Sequence, residues 1–119
     1  MTEKITVWFN PACSKCLSLH AILDEHGRTF EPRYYLEAQP SPSEIEELLT
    51  RLELSDPIEL MRRKDKAFTE LGVEEMDRPA RIAALCSHPS LLERPILVMG
   101  DRAVVARPPQ KVLAFFTEA

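Results

Sequence analysis

The chain has 119 residues, 45% of them apolar and 29% charged, with a net charge of −4. This is the length of one domain with an ordinary globular balance, which argues against a disordered chain and against a strongly electrostatic nucleic-acid binder. No apolar run approaches the roughly 20 residues of a membrane span, and Met1 to Lys4 lead into a strand-like segment rather than a secretory apolar region; the expected location is the cytoplasm, with no membrane partner.

Ile5, Val7 and Phe9 alternate with Thr6 and Trp8 in a β-branched, aromatic stretch that predicts a strand covered on both faces. Asn10-Pro11-Ala12 ends it. A helix is expected from about Ser14 to His26, with Cys16, Leu19 and Leu23 on one stripe, Ile22 beside them and Gly27 as its stop. Phe30 to Leu36 reads as a second strand, and a helix between two strands at this spacing predicts a parallel pair. Ser41-Pro42-Ser43-Glu44 has the composition of a capping box and opens a helix carrying Ile45, Leu48, Leu49 and Leu52. Shorter helical pieces are expected over Pro57–Arg63 and Lys66–Leu71. A longer one runs from about Arg78 to Ser87, with Ile82, Leu85 and Cys86 inward. Pro95 to Met99 reads as a central strand and Gly100-Asp101 as a tight turn. Ala103 to Ala106 should return as a hairpin. Pro108-Pro109 opens a last helix with Val112, Leu113 and Phe116 inward. The reading is a single α/β domain over residues 1–119, ordered β-α-β, a helical insertion at about 41–92, then β-β-α.

Three cysteines are too few for a secreted disulfide scaffold or for a four-cysteine zinc site. The scattered His20, His26 and His88 complete no metal-ligand pattern with them, so no metal is expected. Cys13-Ser14-Lys15-Cys16 falls between a strand and a helix. A thiol there feels the positive end of the helix dipole and meets free backbone N–H groups, and Lys15 adds a cation. All three favour the nucleophilic thiolate. Residues three apart at a helix start also fall within disulfide range. The bland alternative is two small core fillers. It is serious for Cys16, on the stripe with Leu19 and Leu23, and weak for Cys13, at a loop end expected to be accessible. Cys86, beside Leu85 on an apolar stripe, reads as a buried structural thiol rather than a distant resolving cysteine.

Phe9-Asn10-Pro11-Ala12-Cys13-Ser14-Lys15-Cys16 resembles the active-site loop of the glutaredoxin-coupled arsenate reductase family. Leu60 to Lys64, Glu93 to Val98 and Ala106-Arg107-Pro108-Pro109 resemble its three later motifs, in the same order. The resemblance implies a thioredoxin-like fold, a mixed four-stranded sheet with flanking helices, and a cis bond at Arg94–Pro95. It makes Cys13 the nucleophile and Arg62, Arg94 and Arg107 the oxyanion-binding arginines, with Arg63 as the alternative if the register slips by one. A guanidinium suits arsenate because its paired donors match a tetrahedral oxyanion and its charge never titrates away. On this reading the protein reduces arsenate through a Cys13 adduct and binds no cofactor. Glutathione, or glutaredoxin or thioredoxin, supplies electrons, and the second thiol is either glutathione or Cys16. Two positions depart from the family pattern: Phe9 stands where a histidine is common, and His20 and His26 read as surface residues too distant to replace it. Cys16 makes a CxxC that instead resembles the Spx-type regulators, which share the fold and use the pair as a switch. The alternatives are therefore such a regulator, with RNA polymerase as partner, or a general thiol-disulfide oxidoreductase.

Overall fold

The structure, a computed structural model, describes residues 4–117. Met1, Thr2 and Glu3, which belong to the N-terminal expectation, lie outside the described residues, as do Glu118 and Ala119. In chain order the elements are β1 (Ile5–Trp8), α1 (Ser14–Glu25), β2 (Glu31–Arg33), α2 (Pro42–Leu52), α3 (Lys66–Glu70), α4 (Arg78–Ser87), β3 (Ile96–Met99), β4 (Arg102–Val105) and α5 (Leu113–Thr117). Single 3-10 turns stand at Pro57–Leu60, Val73–Glu75, Pro89–Leu91 and Pro109–Val112. These elements fall into two compact units. One takes the chain up to Tyr34 and from Arg94 onward; the other is Tyr35–Glu93.

The first unit is a mixed four-stranded sheet in the order β2-β1-β3-β4. β1 runs parallel to β2 and antiparallel to β3, and β3 and β4 form an antiparallel hairpin. This is the helix-flanked sheet of the thioredoxin-like class. Ile5 pairs with Met99 and Val7 with Leu97, which puts all four on one face. Leu19 and Leu23 of α1 and Val112, ahead of α5, bury that face. Each such aliphatic side chain contributes about 1.5–3 kcal/mol on burial. On the opposite face Trp8 and Ile96 are buried too. The hairpin turns at Gly100, whose φ of +64° is a conformation only glycine adopts without strain.

Several boundaries differ from expectation. β2 holds three residues, not the seven of Phe30–Leu36, because the chain turns away after Tyr34 and only Glu31, Pro32 and Arg33 find partners on β1. β4 begins at Arg102, and Ala106 lies beyond it. The last helix opens as a 3-10 turn, and of the three residues expected inward Val112 is buried while Leu113 and Phe116 are half-buried.

In the second unit, Ser41 caps α2 as its spacing predicts. Its hydroxyl accepts from the Glu44 amide at 3.2 Å, and the Glu44 carboxylate accepts from the Ser41 amide at 3.0 Å. α2 packs on α4, with Ile45, Leu48 and Leu49 buried from one helix and Ile82, Ala84 and Leu85 from the other. A guanidinium–carboxylate fork joins the two helices: Arg78 donates to both oxygens of Glu46 at 2.7 and 2.8 Å. The helix expected over Pro57–Arg63 ends at Leu60, because Met61 is drawn into a bridge with Leu92 and the Arg62 amide donates to the Leu91 carbonyl at 2.7 Å. Cys86 is half-buried rather than core, since it sits at the edge of the line set by Ile82 and Leu85.

Candidate active site

Three chain segments meet at one end of the first unit's sheet. Trp8, the last residue of β1, pairs with Ile96, the first of β3, and Ile96 pairs with Val105, the last of β4. The loop leaving β1, the segment entering β3 and the segment leaving β4 therefore share that end. They carry Cys13, Arg94 and Arg107 respectively.

Asn10 shapes the first loop. Its side-chain oxygen accepts from the Ala12 amide at 3.0 Å, closing an Asx turn, and its carbonyl accepts from the Cys13 amide at 2.9 Å. Its own amide faces the Cys16 sulfur at 3.4 Å. The sequence signal was the Asn-Pro pair, which marks a turn but does not reveal that the turn is wired to both cysteines. Cys13 is the N-cap of α1, with extended φ and ψ of −94° and 124°. Against expectation it is not an accessible loop residue; it is 8% exposed and packs in the core cluster with Phe9, Cys16 and Leu97. The reason is that α1 lies directly over the sheet face from its first turn.

The two thiols are strongly unequal. Burial pushes the Cys13 thiol up, but the N–H groups of Cys16 and Lys15 and the Arg94 guanidinium outweigh it and bring it down to about 7. The side chain makes no capping hydrogen bond, and donors of this kind favour the charged form of a thiol over the neutral one. Cys16 is fully buried. Burial and the adjoining Cys13 charge push it up to about 11, against the opposing pull of the Asn10 amide. One thiol is thus ready to ionise near neutrality while its neighbour keeps its proton.

Arg94 is half-buried, and its guanidinium faces the Cys13 sulfur as a donor. Arg107 is exposed, and its Nε donates to the Arg94 carbonyl at 2.7 Å. The Arg94–Pro95 peptide is cis, as the resemblance implies, and Arg107–Pro108 is cis as well. Cys13, Cys16, Arg94, Pro95 and Arg107 are therefore gathered within the first unit. Arg62 belongs to the second unit, where it pairs with Asp65 at 3.4 Å and lies 3.5 Å from the Ser90 carbonyl. Arg63 is exposed and pairs with Glu74.

Phe9 is buried and offers no base. Its ring packs against those of Phe30 at 5.8 Å and Tyr34 at 6.2 Å. His20 is exposed, yet it is not a bare surface histidine: its ring stands edge-on to Phe9 at 6.3 Å and to Phe30 at 5.1 Å.

The chain is similar to known proteins over most of its length. The chain is 43% identical over 112 residues to an uncharacterized protein in the glnII region of Streptomyces viridochromogenes, covering 89% of this chain and 93% of that one. It is 35% identical over 113 residues to a protein of Neisseria meningitidis named arsenate reductase, covering 93% and 97%. The solved structure titled arsenate reductase from Vibrio cholerae superposes with a TM-score of 0.91 at 34% identity, over 96% of this chain and 98% of that one. The profile of the ArsC family matches residues 8–115, the span that holds the cysteine loop and every arginine discussed above, and the chain belongs to that family.

Proposed function

We propose that the protein is a thiol-dependent arsenate reductase in which Cys13 is the nucleophile. The observation that carries this reading is the Cys13 thiol at the start of α1, brought to about 7 with the Arg94 guanidinium against it. The names of relatives that cover 93% and 96% of the chain support it.

The steps follow from the chemistry of the site. The thiolate attacks arsenic(V), an S–As bond forms, and one arsenic-bound oxygen leaves as water after protonation. This is nucleophilic catalysis with a lowered-pKa thiol. Arg94 and Arg107 neutralise the oxyanion's charge, which also lowers the repulsion an anionic nucleophile meets. A second thiol then attacks the Cys13 sulfur. The S–As bond breaks with its electron pair going to arsenic, an S–S bond forms, and arsenite leaves. Arsenate and two thiols thus give arsenite, a disulfide and water. Cys16, protonated beside Cys13, is one second thiol and glutathione the other; glutaredoxin or thioredoxin restores the dithiol. The role expected of Arg62 rests on its motif, and its test is mutational. We also keep residues 1–119 as one domain whose helical middle is an insertion.

Arsenite formation with glutathione and glutaredoxin tests the proposal. Turnover that vanishes in Cys13→Ser supports it. Reduction of a neutral disulfide without arsenate turnover would instead favour a general thiol-disulfide oxidoreductase. The buried Cys16 beside Cys13 gives the redox-switched regulator its own support, and capture of RNA polymerase only from oxidised protein would favour that reading.

A further inference from the structure

Arg94 stands two residues before β3 and Arg107 two residues after β4, so the hairpin returns them to the same sheet end. Two hydrogen bonds tie these segments at consecutive carbonyls. The Ala106 amide donates to the Pro95 carbonyl at 2.8 Å, and Arg107 Nε donates to the Arg94 carbonyl at 2.7 Å. The second is as short as charge-assisted N–H···O bonds become. The direction of a residue's carbonyl is set by its ψ, so holding the Arg94 oxygen restrains the Arg94 ψ and with it the direction in which the side chain leaves the backbone. The guanidinium that acts on the Cys13 sulfur is that of Arg94.

We propose that Arg107 is a positioning residue that keeps the Arg94 guanidinium on Cys13 before any oxyanion arrives. This is a role separate from contacting substrate, and it rests on the reading of Cys13 as the reacting thiol. It predicts that Arg107 is felt in the empty enzyme, through Arg94 alone. Losing it frees the Arg94 carbonyl to rotate toward water, and the guanidinium–thiolate contact loosens without any change in the residues that touch sulfur.

The test is the rate of iodoacetamide alkylation of Cys13 against pH, mapped by mass spectrometry, in the full chain without arsenate. The variants are Arg107→Ala, Arg94→Ala and the double substitution. Arg107→Met, which keeps the aliphatic stem and loses the donor, carries the same test if the alanine variant does not fold. The Arg107 variants should raise the titration midpoint by about 0.5–1 unit, and Arg94→Ala by at least as much. The double variant should titrate like Arg94→Ala alone, because an indirect effect vanishes with its intermediary. An unmoved midpoint in the Arg107 variants, or shifts that add in the double variant, would overturn the proposal. Arsenate turnover is scored separately. If it is absent while the midpoints move as stated, the reductase reading fails and this one stands; if turnover is present while the midpoint stays still in Arg107→Met, the reverse holds.

Discussion

Cys13 and Cys16 are the same residue three positions apart, and their environments drive them to opposite ends of thiol chemistry. Cys13 meets N–H donors and a guanidinium, whereas Cys16 meets burial and a neighbouring negative charge. Because the thiolate is the reactive form, a lowered pKa means reactivity that rises with pH through about 7 and levels above it. Alkylation of Cys13 should follow that profile, and Cys16 should stay inert until pH approaches about 11. Peptide mapping across pH reads both; a Cys13 midpoint at or above the ordinary value of about 8.5 would contradict the site as described. Mild oxidation should join Cys13 to Cys16 and leave Cys86 free, as a non-reduced digest will show. Cys16 stands three residues from Cys13 at the start of the same helix, within disulfide range, whereas Cys86 belongs to the other unit and its thiol is pushed up by burial and by Glu44. Arg94→Ala should lower arsenate turnover by about one to two powers of ten, the scale of a lost charge-assisted contact. Part of that loss should be absent at pH 9, where the higher-titrating thiol of the variant is again ionised.

Among the elements, α1 and α2 start by different means. α2 opens on a complete capping box, and Ser41→Ala should cost about 1 kcal/mol of stability, read from chemical denaturation. α1 opens on a cysteine that does not cap. Its first-turn N–H groups are left to favour a thiolate, and the helix is held by its packed face instead. Leu19 and Leu23 are fully buried, so Leu19→Ala should cost about 2–5 kcal/mol, far more than the loss of a cap. A melting curve of that variant shifted no more than that of Ser41→Ala would mean α1 is not held by its buried stripe. The placement of α1, α2 and α4 was legible because each combines an apolar stripe with Ser, Pro or Gly at its ends. The length of β2 was not, since an exposed three-residue edge strand leaves almost no periodic pattern. Nor was the end of the turn at Leu60, because Met61 answers to a bridge with Leu92, a partner 31 positions away.

For the whole molecule, the two units differ in how the chain builds them. The second is continuous, Tyr35–Glu93, while the first joins the chain's beginning to its end through β1–β3 pairing. Among the described residues no helix is long and apolar enough to cross a membrane. The family match spans both units, and Arg62 lies in the second. On its motif, Arg62→Ala should reduce arsenate turnover by about tenfold or more while its melting temperature changes little, since its half-buried pair with Asp65 is a weak contributor to stability. Equal turnover in wild type and variant would remove Arg62 from the oxyanion-binding set.

The residues by themselves were enough for the element order, the parallel β1–β2 unit, the capping box and the cysteine at a helix start. Each of these is encoded in patterns a few residues long: alternation, a 3.6-residue stripe, a cap, a glycine. The motifs carried the resemblance, and with it the cis bond before Pro95. Only the tertiary structure decided what surrounds each sulfur. That Cys13 is buried, that Cys16 is pushed far above it, and that Arg107 bonds the Arg94 carbonyl depend on contacts between residues far apart in the chain. No local pattern specifies such pairs, because strand pairing sets their separation in space and dielectric surroundings set the energy of their charges. The same holds for Phe9, which in sequence is a missing histidine and in the fold is a ring packed among Phe30, Tyr34 and His20.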